Sequence, residues 1–177
     1  MSNLFKAFAY SQMDVEKPMV IDSNDFSEEL STYCPAVDIR GCGITVSHNE
    51  IAHSNHDALS WQGHNHIVEY NEFYDICNNT DDAGVCYAGR TLDWYGNIFR
   101  YNYMHEIGSD TLMQNFGGGC GGHGIYYDDG LGGQTAYGNV FENFRFGFAF
   151  AVGGGSDHII EGNVFINCDT AIGYDER

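Results

Sequence analysis

A short phrase built around asparagine recurs along this chain of 177 residues and constrains its fold more than any other feature. In each copy a small or aromatic residue precedes Asn, and a large apolar residue stands two positions after it. The asparagines of successive copies are 22, 31, 37 and 24 residues apart; they are Asn49, Asn71, Asn102, Asn139 and Asn163. A phrase repeated at this period is typical of stacked repeats. We therefore expect an array of similar units rather than one globular arrangement of helices.

Three short strand-like stretches accompany each asparagine. The first begins with a small residue and then alternates apolar positions, as in Gly124-Ile125-Tyr126-Tyr127. The second directly precedes the Asn, as in Ile67-Val68, and the third follows it and carries the large apolar residue. Alternation with a period of two indicates a strand with one buried face. The pattern predicts an all-β fold: a single-stranded, right-handed parallel β-helix of about six coils.

The repeated asparagine lies at the predicted bend between the second and third strands of each coil. Asn tolerates the left-handed backbone conformation that such a bend needs, and stacked amides can bond one another along the coils. We therefore interpret these residues as a structural asparagine ladder and not as catalytic groups.

The repeat divides the chain into two parts. Residues 34–177 carry it, whereas residues 1–33 do not, and Leu4, Phe5 and Phe8 there have helical spacing. Because a β-helix has two open ends of unpaired strand, we expect residues 1–33 to form an N-terminal cap. The sequence ends in mid-coil after Tyr174. This predicts either a continuation in a longer helix or an end-to-end homo-oligomer formed through the last coil.

The charge and the hydrophobicity of the chain limit the classes of partner that it can bind. The formal net charge is -18, and the only lysines are Lys6 and Lys17. Nucleic acid and anionic membrane surfaces are thus disfavoured as partners, because both require clustered basic residues. The simplest explanation of the charge is solubility; bound divalent cations or a neutral, hydroxyl-rich ligand are the alternatives. The sequence has no membrane-span-length apolar stretch and no signal-peptide pattern, so a secreted or periplasmic protein would carry its signal elsewhere.

The two longest repeats contain extra residues that predict a cleft. They fall in the stretches 77–83 and 108–123, before the first strand of a coil, and 89–95, after it. Equivalent loops of a β-helix stack on one side, so these loops should form two walls above a floor of first strands. With the small residues Gly84 and Gly124 aligned, the expected outward floor residues are Cys86, Ala88, Tyr126, Asp128, Ala149 and Ala151. Asp128 would then lie between alanines.

Carboxylates concentrate around this predicted floor. Asp81, Asp82, Asp128 and Asp129 could supply the pair of acidic groups that glycosidic bond cleavage uses. Equivalent positions on adjacent coils lie about 5 Å apart and those on alternate coils about twice that, which covers the separations used in glycoside hydrolysis. His123 ends the long glycine-rich loop at the cleft edge, so it is a candidate for proton transfer or substrate contact.

Three further side chains are candidate substrate-binding residues, each with a structural alternative. Trp94 and Tyr126 could stack on sugar rings or take part in ordinary packing. Arg90 aligns beside Asp129 and Gly130, and an ion pair between Arg90 and Asp129 is the simpler expectation. His64 and His66 could offer two metal ligands, but no third ligand stands at a recognisable spacing, so no metal site is predicted there.

The motifs also resemble a known family. They are Asp81-Asp82-Ala83-Gly84-Val85-Cys86-Tyr87-Ala88-Gly89-Arg90, Arg100-Tyr101-Asn102-Tyr103-Met104-His105-Glu106-Ile107, Gly124-Ile125-Tyr126-Tyr127-Asp128-Asp129-Gly130 and Tyr137-Gly138-Asn139-Val140-Phe141. Over residues 36–175 the chain resembles right-handed parallel β-helix repeat proteins. More narrowly, it is similar to bacterial carbohydrate-active members, glycoside hydrolases of the fucosidase or xylanase kind. The resemblance implies two catalytic cleft aspartates, carried over to Asp82 and Asp128 with Asp81 and Asp129 as alternates, and a polysaccharide or oligosaccharide substrate.

Two other functions stay open at the level of sequence. A polysaccharide lyase must neutralise a uronate and abstract a proton, with Arg or Lys or with Ca²⁺ held by acidic residues. Only Arg90 is placed near the floor, so a lyase would have to use Ca²⁺ held by Asp81, Asp82 and Asp128. The third reading is a non-catalytic, glycan-binding or structural β-helix fragment. Without Ca²⁺, no cofactor is expected.

Overall fold

The described part of the chain consists of strands arranged in three parallel sheets. The computed structural model describes residues 35–78, 82–107, 122–145 and 147–176, and these contain sixteen strands and no helix. Each sheet takes every third strand in sequence order, and every pairing is parallel. The all-β class and a β-helix-like arrangement are therefore confirmed. The predicted N-terminal cap lies outside the described residues.

The strand bounds follow the three stretches seen in each sequence repeat. The first sheet contains β1 (Val37–Cys42), β4 (Leu59–His64), β7 (Gly84–Gly89), β10 (His123–Asp128), β13 (Phe148–Gly153) and β16 (Thr170–Asp175). The second contains β2 (Thr45–Ser47), β5 (Ile67–Glu69), β8 (Ile98–Arg100), β11 (Thr135–Tyr137) and β14 (Ile159–Glu161). The third contains β3 (Glu50–Ser54), β6 (Glu72–Ile76), β9 (Tyr103–His105), β12 (Val140–Glu142) and β15 (Val164–Ile166).

Side chains from all three sheets meet in one apolar core. In the first sheet, Leu59, Cys86, Ile125 and Phe150 occupy one inward row, because each pairs with the next. Trp61 and Tyr127 lie beside that row and contact Phe99 of the second sheet, with ring centroids 4.5 Å and 6.3 Å away respectively. Burial of these large rings removes much apolar area from water, which is the main force holding the sheets together.

The register between β7 and β10 differs by one residue from the expected one. Gly84 pairs with His123 rather than with Gly124. A shift of one residue exchanges the two faces of a strand, so Cys86 and Ala88 face the core and not the floor; both are buried in the apolar cluster. Tyr126 and Asp128 do face outward, as predicted. The register between β10 and β13 also differs, by two residues, because Ala151 pairs with Tyr126 and not with Asp128. The neighbours of Asp128 are therefore Gly89 and Gly153 and not alanines.

The asparagine ladder is present, but its backbone conformation differs from the expected one. The side-chain amide of Asn71 donates to Asn102 Oδ1 at 3.1 Å, and that of Asn102 donates to Asn139 Oδ1 at 3.0 Å. The backbone amides of Asn71 and Asn102 donate to the same two oxygens. The left-handed residue is the one before each asparagine, such as Tyr70 with φ 54° and Tyr101 with φ 56°. Asn is thus selected for its hydrogen bonds rather than for a positive φ.

A second polar ladder occupies the bend between the first and second sheets. The backbone amide of Ile44 donates to His66 Nδ1 at 3.1 Å, and the amide of His66 donates to Asn97 Oδ1 at 2.9 Å. Asn97 in turn donates from Nδ2 to Gly63 O at 3.0 Å. His66 is buried, so its imidazole satisfies a bend amide that would otherwise lack a partner. His66 therefore has a structural role at this bend.

Candidate active site

The outer face of the first sheet carries the site residues in two adjacent rows. Tyr87 pairs with Tyr126, which pairs with Ala151, and these three form one row. Gly89 pairs with Asp128 in the next row, where Gly153 lies on the far side of Asp128. The predicted neighbours β7 and β10 therefore lie side by side, and together with β13 they form the floor. Its centre is aromatic and acidic, and its edge is built from small residues.

Asp128 is a buried carboxylate whose two oxygens both accept hydrogen bonds. Asp128 is 5% exposed. The hydroxyl of Tyr87 donates to Oδ2 at 3.1 Å, and the backbone amide of Asp129 donates to Oδ1 at 2.8 Å. Burial first, and then the Asp128 carboxylate, raise the pKa of Tyr87, whereas Arg90 lowers it. Tyr87 therefore keeps its proton at neutral pH and acts as a donor.

The glycines on either side of Asp128 are required by its position. A methyl group on Gly89 would come within 2.9 Å of Asp128 Cβ, and one on Gly153 within 3.1 Å of Asp128 Oδ1. Real Cβ atoms do not approach so closely without displacing a neighbour. The carboxylate consequently lies against bare backbone on both sides. A side chain at Gly89 would collide with Asp128, and one at Gly153 would force a shift of a few tenths of an ångström.

Asp82 is the second acidic group on this face, and it is exposed. The hydroxyl of Tyr126 donates to Asp82 Oδ1 at 3.2 Å. Tyr126 and Tyr87 are in edge-to-face contact, with ring centroids 5.5 Å apart. The two carboxylates are thus linked through two tyrosines that touch each other. Asp81, the alternate to Asp82, lies outside the described residues.

His123 lies at the start of β10 and is 3% exposed. Its Nδ1 accepts a hydrogen bond of 3.0 Å from the backbone amide of Phe148, so the neutral ring carries its proton on Nε2. The imidazole stacks on Phe148 at 5.1 Å and meets the Tyr126 ring edge-to-face at 4.6 Å. His123 therefore packs against the face from below Tyr126 and fixes the position of that ring.

Arg90 and Asp129 form the expected ion pair beyond the end of β7 and β10. Arg90 Nε lies 3.4 Å from Asp129 Oδ2, and the two side chains are 79% and 36% exposed. The backbone amide of Arg90 also donates to Asp128 O at 3.4 Å. The pair is open to solvent and lies next to Asp128, so it can also contact a bound ligand.

The bend that follows β7 contains two adjacent aromatic residues, and the one exposed to solvent is not the one predicted. Trp94, a candidate for sugar stacking, is half-buried and packs against the core. Its neighbour Tyr95 is 40% exposed. No periodic signal exists in this irregular segment, so the sequence could not say which of the two adjacent rings faces solvent. Tyr95 was accordingly absent from the predicted site.

The described residues contain neither a metal-binding cluster nor a membrane-spanning helix. Within these ranges no group of three or more His, Cys, Asp or Glu side chains is arranged to hold a metal ion. The same part of the chain contains no helix of the length and hydrophobicity needed to cross a membrane.

Comparison with known proteins adds no family assignment. No protein-family model, curated protein or solved structure matches the chain. The chemistry of the face must therefore be judged from its own geometry.

The arrangement places two carboxylates in contrasting environments on one aromatic face. Asp128 is buried and accepts a hydrogen bond on each carboxylate oxygen, which suits a group that faces developing positive charge. Asp82 is exposed to solvent. Two carboxylates in environments this different are the starting point for acid/base and nucleophilic chemistry.

Proposed function

We propose that this protein is a carbohydrate-active β-helix protein, a glycoside hydrolase that cleaves a polysaccharide or oligosaccharide on the outer face of its first sheet. One observation carries the proposal. Asp82 and Asp128 are far apart in sequence, yet each accepts a hydrogen bond from one of two tyrosines whose rings touch. Paired carboxylates beside aromatic rings are the groups that glycosidic bond cleavage needs.

The two aspartates take different parts in this reaction. Asp128, with donors on both oxygens, acts as the nucleophile or as the anion that stabilises an oxocarbenium-like transition state. Asp82, open to solvent, acts as the acid/base. Arg90 and Tyr126 contact the sugar, and Asp81 and Asp129 remain the alternates carried over from the resemblance.

The proposal includes the finer architecture. The three parallel sheets support a right-handed, single-stranded β-helix of about six coils, since parallel crossovers are right-handed in nearly all proteins. Residues 1–33 are proposed to cap its first coil. We place the chain among the bacterial β-helix repeat proteins on its motifs, and we propose end-to-end association of copies through the last coil.

The test is a substrate screen followed by one isosteric substitution. The purified protein is assayed on chromogenic glycosides and on a panel of plant and microbial polysaccharides, with release of reducing ends as the readout. Asp128→Asn should lower turnover by at least about a hundredfold. Asp175→Asn, on an exposed position of the last strand of the same sheet, is the matched control and should leave turnover unchanged.

Two outcomes would contradict the proposal. Turnover that is equal in Asp128→Asn and in the parent protein would remove Asp128 from the mechanism. Binding to glycans with no turnover of any substrate would replace hydrolysis with a binding function. Circular dichroism of each variant ensures that a loss of activity does not reflect a loss of fold.

A further inference from the structure

Tyr95 lies flat on a seat made of glycine backbone. A methyl group on Gly133 would overlap the Cγ, Cδ1 and Cε1 atoms of its ring, and one on Gly132 would come within 3.0 Å of its hydroxyl. One side of the ring therefore rests directly on the chain at Gly132 and Gly133. The residue is nevertheless 40% exposed, so surface away from these glycines is open to solvent.

Backbone hydrogen bonds hold the bend that carries Tyr95 in place. The amide of Tyr95 donates to Asp93 O at 3.1 Å and to His64 Nδ1 at 3.3 Å, and its carbonyl accepts from the amide of Asn65 at 3.2 Å. The amide of Gly96 donates to Gly133 O at 2.9 Å, which ties the bend to the seat. Because the ring packs on glycine backbone and the bend that carries it is held by these bonds, it loses little conformational freedom when a ligand binds to it.

The ring of Tyr95 lies against the bend that directly follows the candidate active site in the chain. The seat at Gly132 and Gly133 belongs to the bend that follows Asp128 and Asp129 at the end of β10. The chain from Asp128 to Gly133 can span at most about 18 Å. A linear ligand that reaches the Asp128 carboxylate can therefore extend along this bend to Tyr95.

We propose that Tyr95 is a stacking platform for a sugar ring, forming a subsite beyond Asp82 and Asp128; this inference rests on the proposed function. The C–H groups on the face of a sugar ring carry slight positive charge and pack well on the electron-rich face of an aromatic ring. His64, Asn65 and Asp93 each bond the backbone of Tyr95 and are exposed, so their polar side chains can bond hydroxyl groups. The net charge of -18 favours an uncharged saccharide over an anionic one.

The test measures binding without catalysis. Asp128→Asn protein, labelled with ¹⁵N, is titrated with xylohexaose, with cellohexaose and with a fucosylated xyloglucan oligosaccharide. Stacking should shift the sugar C–H resonances upfield through the ring current and should perturb the amides of Tyr95 and Gly133. In the same background, Tyr95→Ala should weaken affinity by roughly ten- to fiftyfold, as expected for losing the apolar contact of one ring face. Tyr95→Phe should retain it.

The control and the contrary results separate this inference from the function on which it rests. Tyr70→Ala removes another tyrosine, 50% exposed, at the corner between the second and third sheets, and should leave affinity unchanged. Unaltered binding by Tyr95→Ala would overturn the platform while leaving the proposed hydrolase intact. Failure of the starting protein to bind any of the three oligosaccharides, together with no turnover in the substrate screen, would overturn both.

Discussion

The hydroxyl of Tyr87 donates a hydrogen bond of 3.1 Å to Oδ2 of Asp128, although 41 positions separate the two residues in sequence. The contact exists because β7 and β10 pair with Tyr87 beside Tyr126, which leaves Asp128 one diagonal step away on the same face. The other carboxylate oxygen, Oδ1, is bonded to the amide of Asp129. Because Asp128 is buried, loss of the Tyr87 hydroxyl removes a donor from Oδ2 at a place that water reaches poorly.

The first prediction concerns this bond. Tyr87→Phe should lower the free energy of unfolding by about 1.5–3 kcal/mol, because it removes a donor to a buried charged acceptor. Tyr126→Phe is the matched control, since the hydroxyl of Tyr126 donates to Asp82, which is exposed and can bond water instead. Its cost should stay below about 1 kcal/mol. Urea unfolding at neutral pH measures both variants, and equal losses would mean that Asp128 is solvated like Asp82.

The second prediction concerns alkaline pH. Hydrogen bonds from Tyr74 to Glu50 and from Tyr103 to Glu142 raise the pKa of each tyrosine to about 12, from an ordinary value of about 10. Between pH ~10 and pH ~12 the folded protein therefore keeps two protons that the unfolded chain releases. Their contribution to stability is complete below pH ~10 and is lost as the pH rises towards 12.

Phenolate absorbance during a pH titration measures this directly. Two tyrosines should titrate near pH 12 on the outer face of the third sheet. Glu50→Gln replaces the charged acceptor of the Tyr74 hydrogen bond with a neutral one, so the pKa of Tyr74 should fall towards 10 while that of Tyr103 stays high. A titration curve that does not change in Glu50→Gln would show that the carboxylate does not control Tyr74.

The repeat was sufficient to predict the sheets but not their register. Period-two alternation and the recurring asparagine located the three strands of each repeat, and the Arg90–Asp129 ion pair followed from that alignment. Matching Gly84 to Gly124 by their small size misplaced β7 by one residue. The register is decided by packing in the core, where Cys86 meets Ile125, and long loops before each strand hide that offset from sequence comparison.

The candidate site was also predicted only in part from the sequence. Asp128 was predicted on the outer face because β10 alternates clearly, and the structure places it there. Its glycine neighbours were missed because β7 was misaligned by one residue and β13 by two. The exposure of Tyr95 was missed because an irregular bend has no periodicity from which the direction of a side chain can be deduced.

The third prediction separates ligand contact from stability at Arg90. Its ion pair with Asp129 is largely exposed, so Arg90→Ala should change the free energy of unfolding by less than about 1 kcal/mol. If Arg90 contacts the sugar, the same variant should raise KM without a comparable fall in stability. Arg40→Ala is the control, because Arg40 forms an exposed ion pair with Asp38 on the first strand of the same sheet. Steady-state kinetics that are identical in the two variants would exclude Arg90 from substrate binding.

The last prediction concerns the asparagine ladder. Asn102 is 1% exposed; its Oδ1 accepts from both amides of Asn71, and its Nδ2 donates to Val68 O at 2.9 Å and to Asn139 Oδ1 at 3.0 Å. Asn102→Ala therefore leaves several buried polar groups without partners and should cost about 3 kcal/mol or more. Asn163→Ala removes an equivalent side chain that is half-buried, where water can replace the lost bonds, and should cost about 1–2 kcal/mol. Urea unfolding of both variants tests the gradient; a loss at Asn163 as large as that at Asn102 would show that burial does not set the strength of the ladder.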